Sequence, residues 1–129
     1  MKFFLDNNMP LKLAAVLRAM ELEVVHLRDH YGRGDITDEQ WMLDVAKLGW
    51  PALTYDRKIA AKPSERDTLK AAGLTIIFVK QSVLHLPEKQ QVSFFIGHWD
   101  AMVEVVSLAR PGRRWFLWRQ NGKVEPYPE

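Results

Sequence analysis

The segment Leu74-Thr75-Ile76-Ile77-Phe78-Val79 constrains the fold more than any other stretch of the chain. It carries no charge and is rich in β-branched and aromatic side chains, so it reads as a strand buried on both faces. Such strands occupy central positions in parallel sheets, whose two faces are covered by helices. The rest of the chain supplies partners: Lys2 to Leu5, Glu23 to Leu27 and Ala52 to Tyr55 read as further strands. Between them, Pro10 suits the first turn of a helix with Leu13, Ala14, Leu17 and Met20 along it. Thr37-Asp38-Glu39-Gln40 is a capping box: Thr37 caps, Gln40 reaches back, and Asp38 and Glu39 meet the positive end of a helix that Gly49 terminates. Pro63-Ser64-Glu65 starts another helix that stops at Gly73, and after Pro87 the residues Val92, Phe95, Ile96, Trp99, Val103 and Val106 recur at helical spacing up to Arg110, a core stripe. Arg28 to Ile36, with Gly32 and Gly34, reads as a loop. Strands alternating with helices predict an α/β fold with a parallel sheet.

A chain of 129 residues makes one domain, with an α/β core over 1–110 and a hairpin or tail over 111–129. In that tail Trp115-Phe116-Leu117-Trp118 precedes the hairpin-favouring pair Asn121-Gly122. The chain has no cysteine, which excludes disulfides, thiolate nucleophiles and cysteine-based zinc sites. No apolar stretch is long enough to span a membrane and the first residues form no signal segment, so a cytoplasmic protein is expected. Net charge is only +2, but it is unevenly spread: acids crowd Asp35 to Glu39, whereas Arg110, Arg113, Arg114, Arg119 and Lys123 make a basic margin. A metal-dependent enzyme acting on a polyanion would use both.

Three aspartates stand where a parallel sheet would expose them. Asp6 closes Phe3-Phe4-Leu5, Asp56 closes Ala52-Leu53-Thr54, and Asp38 opens the helix between them. Parallel strands present ligands beyond their carboxyl ends, so these side chains gather at one edge. Two unit charges about 4 Å apart repel by roughly 4 kcal/mol at an effective dielectric near 20. Three carboxylates in one cleft therefore call for protons or a hard cation, for which magnesium or manganese is the natural occupant. Each also has a plainer explanation, as a turn residue for Asp6 and Asp56 and as a first-turn helix residue for Asp38. Glu39 is the alternative ligand at that helix end. Asn7 is placed either to hydrogen-bond a ligating carboxylate or to make a turn, and Thr54 either does the same or simply favours its strand.

In order along the chain, Asp6-Asn7-Asn8-Met9-Pro10, Val24-Val25-His26-Leu27-Arg28-Asp29, Thr37-Asp38-Glu39-Gln40-Trp41 and Thr54-Tyr55-Asp56-Arg57 resemble the PIN-like family. More narrowly, they resemble the short PIN-like proteins grouped with VapC-type toxins. The resemblance runs through the first two thirds of the chain, up to the fourth strand. It implies a three-layer α/β/α sandwich with a central, mainly parallel sheet, to which the C-terminal hairpin is added. It also implies a ribonuclease dependent on Mg2+ or Mn2+ and, for toxin members, a cognate antitoxin. On this resemblance Asp6 matches the first PIN aspartate, Asp38 the helix-borne acid and Asp56 the aspartate of a Thr-x-Asp motif. There are two departures. Many relatives carry a further aspartate where this chain has Lys58, and larger PIN domains have an acid on an extra helix for which the sequence shows no counterpart. Lys58 could meet a phosphate in place of a second metal charge.

Arg113, Arg114, Trp115, Trp118 and Arg119 combine charge with stackable rings, a pattern suited to single-stranded RNA. The alternative is packing, with Phe116 and Trp118 on one face, Trp115 and Leu117 on the other, and solvated arginines. Two apolar faces would also serve a homodimer or an antitoxin. His26 and His30 are expected on a strand and a loop, which gives no helical zinc pair, and His85 and His98 lack partners. Two other readings compete. A receiver-like signalling domain would use Asp6, Asp56 and Lys80, leaves Asp38 unused, and requires its lysine on a fifth parallel strand. A non-catalytic PIN-like module binding RNA or protein would have Lys58 as the mark of a degraded site, and metal affinity separates it from the enzyme.

Overall fold

A computed structural model describes residues 1–109 and 114–128. Among them, β1 (Phe3–Leu5), β2 (Val24–His26), β3 (Ala52–Thr54), β4 (Ile76–Val79), β5 (Trp115–Trp118) and β6 (Val124–Pro126) form one sheet in the order β2-β1-β3-β4-β5-β6. The first five run parallel and β6 returns antiparallel to β5. The helices are α1 (Leu11–Ala19), α2 (Leu27–Tyr31), α3 (Asp38–Leu48), α4 (Lys58–Ala61), α5 (Pro63–Ala72), α6 (Gln81–Leu84) and α7 (Glu88–Ser107). None of the described helices is long and apolar enough to cross a membrane.

The pleat of each strand sends alternate side chains into two separate cores. Phe3, Leu5, Leu53, Ile77, Val79, Phe116 and Trp118 meet Leu13 and Leu17 of α1 and Phe95, Trp99 and Met102 of α7. Phe4, Ala52, Ile76, Phe78 and Leu117 meet Trp41, Met42 and Val45 of α3, Ile59 of α4 and Leu69 of α5. The result is the three-layer α/β/α sandwich, with every residue of β4 fully buried as its composition requires.

Three local features differ from the sequence expectations. The segment expected as a loop from Arg28 contains α2, because His26 caps it: its Nδ1 accepts from the Arg28 amide at 3.1 Å while Nε2 bonds the Met9 carbonyl at 2.8 Å. The stripe of α7 is turned slightly, with Gln91, Phe94, Phe95, Trp99, Met102 and Val106 buried and Ile96 37% exposed. The first strand of the C-terminal hairpin is hydrogen-bonded to β4 from Ile76↔Trp115 to Val79↔Trp118, so it belongs to the main sheet. The turn after it needs Gly122, whose φ of +92° suits glycine and whose missing Cβ would collide with the His98 ring.

Candidate active site

Because β1, β3, β4 and β5 share a direction, Asp6, Asp56, Lys80 and Arg119 follow their strands at one edge of the sheet. The chain goes from β1 to β2 on one side and returns to β3 on the other, so the strand order reverses between β1 and β3. Open α/β sheets bind ligands at such a point. Asp6 and Asp56 flank it.

Asp6 is 3% exposed. Its Oδ2 accepts from Thr54 Oγ1 at 2.8 Å, while Oδ1 is buried without a partner. Burial pushes this carboxyl from 3.8 up to about 8, and the charges of Asp38 and Asp56 add to the rise; the Thr54 hydroxyl and a backbone bond at Asn8 act against it. At neutral pH Asp6 thus holds a proton. Thr54 is the hub of the group, since its Oγ1 also accepts from the Asp56 amide at 2.9 Å and lies 3.3 Å from Asn8 Oδ1. One hydroxyl hydrogen cannot serve both Asp6 and Asn8. Asp6 takes that hydrogen at the shorter distance, and Asn8 Oδ1 accepts from the Tyr55 amide at 3.3 Å.

Asp38 is the first residue of α3, behind the Thr37 cap that accepts from the Gln40 amide at 3.2 Å. Trp41, one turn on and fully buried, stacks on Phe4 at 5.2 Å and donates its Nε1 to Asp38 Oδ1 at 2.9 Å. The i, i+3 spacing of Asp38 and Trp41 was readable as a same-face pair, but burial of Trp41 is what makes it a fixed support. Glu39 accepts from Ser64 Oγ at 3.5 Å, across the junction between α3 and α5. At that junction lies a carboxylate that the sequence reading did not single out. Glu65 is 8% exposed, has a buried Oε2 with no partner, and is held above the ordinary carboxylate range, first by burial and then by the charge of Asp38. Lys62 opposes the shift from 3.9 Å. In sequence, Glu65 looks like any acid in a first helical turn; only the packing of α5 on α3 sets it apart.

Asp56 accepts the Lys58 amide on Oδ1 at 2.9 Å, closing the turn into α4, while the Lys58 side chain is exposed. Asn7 does not touch the carboxylates. It donates to the Gly34 carbonyl at 3.3 Å and accepts from Arg28 Nε at 3.1 Å, tying the loop after β1 to the one before α3. Its neighbour Asn8 takes the place near Thr54 instead.

The aromatic and basic tail is divided by the sheet. Trp118 is fully buried among Phe94, Phe95 and Trp99, and its Nε1 donates to the Gly122 carbonyl at 3.2 Å. A ring enclosed this way has no face for a base, so it is core rather than an RNA platform. Trp115 is half-buried at the amino end of β5 with exposed Arg114 before it, on the edge opposite the aspartates. A four-residue strand at ~3.3 Å per residue separates those edges by about 13 Å. Arg119 is at the aspartate edge and is paired to Glu125 at 2.6 Å. Arg113, like Arg110, lies outside the described residues.

The donors at this edge are carboxylates, which suit a hard cation, and two of their buried oxygens, Asp6 Oδ1 and Glu65 Oε2, lack partners. The chemistry fits a divalent ion. Among the described residues, however, no group of three or more His, Cys, Asp or Glu is already arranged to hold one.

A family model described as a PIN like domain matches residues 1–81, a stretch that includes β1 to β4 and all of these acids. The chain belongs to the PIN-like family. No curated protein and no solved structure matches it. PIN-like domains are commonly nucleases and typically use divalent metals. Membership in this family sets the receiver-like reading aside. The sheet does have a fifth parallel strand, but Lys80 follows the fourth.

Proposed function

We propose that this PIN-like domain is a metal-dependent endoribonuclease that hydrolyses RNA phosphodiester bonds. The observation that carries the reading is Asp6, a buried carboxyl with an unpartnered oxygen at the point where the strand order reverses, coupled to Asp38 and Asp56. Uncompensated buried carboxylates are costly, and a site that keeps one has a use for its charge. Asp6, Asp38 and Asp56 are the residues that would hold Mg2+ or Mn2+. Such an ion, when bound, supplies positive charge to phosphoryl oxygens and lowers the pKa of water.

The protein's own groups prepare the site. Thr54 and Asn8 orient Asp6, Trp41 orients Asp38, and Asp6 gives up its proton on taking a cation, which makes metal affinity rise with pH. At the same strand ends Arg57 is engaged by the Tyr127 hydroxyl at 3.4 Å, whereas Lys58 and Lys80 make no salt bridge among the described residues. The two lysines are available to position an RNA backbone. The narrower assignment, the toxin of a toxin–antitoxin pair acting in the cytoplasm with a cognate antitoxin, is supported by the likeness to short VapC-type proteins. Copurification with the product of an adjacent reading frame tests it.

Asp6→Asn and Asp56→Asn, shown folded by circular dichroism, should lose Mn2+-dependent cleavage of RNA. A variant that cleaves as fast as the parent refutes the site. Lys58, standing where many relatives have an aspartate, favours a second reading as a non-catalytic binding module. A parent that binds RNA but cleaves it with neither cation would establish that reading.

A further inference from the structure

We infer that Glu65 is a fourth carboxylate of the cation site, entering from α5 beside Asp38. The inference rests on the reading that Asp6, Asp38 and Asp56 hold a divalent cation. Glutamate in the first turn of a helix normally points to solvent, where it meets the helix dipole at no desolvation cost. The neighbours of Glu65 behave that way: Pro63, Ser64 and Asp67 are exposed and Arg66 is half-buried. Glu65 alone turns inward, to 8% exposure.

What it meets there is another acceptor. The amino ends of α3 and α5 lie side by side, bridged by Ser64 Oγ and Glu39 Oε1 at 3.5 Å, and this packs buried Glu65 against the helix end that Asp38 opens. Asp38 has one oxygen engaged by Trp41. Lys62 stands 3.9 Å from Oε1 with a side chain 61% exposed, and leaves Oε2 without a partner. The donors present, Trp41 on Asp38 and Lys62 on Glu65 Oε1, leave Glu65 Oε2 bare. A cation satisfies both carboxylates at once, whereas a single proton does not. Asp6 Oδ1 is the other buried oxygen without a partner, and the charge of Asp38 acts on both Asp6 and Glu65. A cation held at Asp38 would be shared by α5 as well as by the strand ends.

The test is calorimetric titration of the metal-free protein with Mn2+. Glu65→Gln keeps the shape and removes the charge, and should weaken affinity at least about tenfold, the lower end of the range seen even for groups that only support a ligand. Asp67→Asn, on the exposed side of the same helix, should leave it unchanged. If Glu65 and Asp38 share the ion, the loss in the double variant Asp38→Asn, Glu65→Gln is smaller than the sum of the single losses. Unchanged Mn2+ affinity in Glu65→Gln, or strict additivity, overturns the inference. Should Glu65→Gln not fold, Mg2+ titration of the parent followed by the carbon resonances of its glutamate carboxyls reads the same point; a Glu65 signal that stays put overturns it. A parent that binds no Mn2+ brings down this inference and the ribonuclease reading together. A parent that cleaves RNA with Mn2+ while Glu65→Gln binds the ion equally well brings down this inference alone.

Discussion

Replacing Asp6 by asparagine should reverse its effect on stability between acid and alkaline pH. In the unfolded chain this carboxyl ionises near 3.8, whereas in the folded protein it keeps its proton up to about 8. Below 3.8 both states are protonated and folding carries no penalty. As pH rises between those values the unfolded chain loses a proton that the folded one retains, so stability falls, by up to about 1.4 kcal/mol per pH unit. Above about 8 both are ionised and the loss stops growing. The span from 3.8 to about 8 is roughly four units, giving an upper bound of about 6 kcal/mol, which rotation toward solvent or cation uptake would relieve in part. The asparagine side chain does not titrate. Its carbonyl can still accept from Thr54, but its amide takes the place of an unpartnered oxygen at a cost of about 1–3 kcal/mol. The variant should therefore be the less stable protein near pH 4 and the more stable near pH 9, by at most about 3–5 kcal/mol. Urea denaturation with chelator present, followed by tryptophan fluorescence at several pH values over that range, measures the difference. A parent-minus-variant difference that is constant with pH would refute both the buried, protonated Asp6 and the argument for its function.

Saturating Mn2+ at about a hundredfold over Kd should stabilise the parent by about 2.7 kcal/mol, and Asp56→Asn by much less; equal melting shifts in the two would remove Asp56 from the ligand set. Trp118→Ala should cost about 3–5 kcal/mol through the cavity it leaves among Phe94, Phe95 and Trp99, with RNA affinity of the folded protein unchanged. A selective loss of RNA binding would instead restore it as a stacking platform. Lys58→Asp should tighten Mn2+ binding in calorimetry and move the stoichiometry from one toward two, while unchanged values would mean that the lysine points away from the acids. Lys80→Ala should flatten the salt dependence of RNA affinity by about one unit of log–log slope, and Arg114→Ala, at the far edge, by less. Equal effects would mean that RNA wraps both edges of the sheet.

Local patterns along the chain were enough to specify the layers and the positions of three acids. The apolar runs ending at Asp6 and Asp56 and the capping box at Asp38 are such patterns, and they fix where strands end and helices begin. With a parallel sheet, strand ends fall on one edge, so the placement of Asp6 and Asp56 followed from periodicity alone. Whatever depends on which elements become neighbours was settled by long-range packing. The docking of α5 on α3 turned Glu65 from an ordinary helix acid into a buried one. His26 formed a helix cap within an expected loop, and Asn8 rather than Asn7 reached Thr54. The pairing of β5 with β4 buried Trp118 and divided Arg114 from Arg119 between opposite edges of the sheet. None of these is written in a window of neighbouring residues, because burial, desolvation and charge coupling are properties of groups brought together from distant parts of the chain. The protonation of Asp6 is the clearest case: its position is local, but the medium that holds its proton is built by strands and helices contributed from much of the fold.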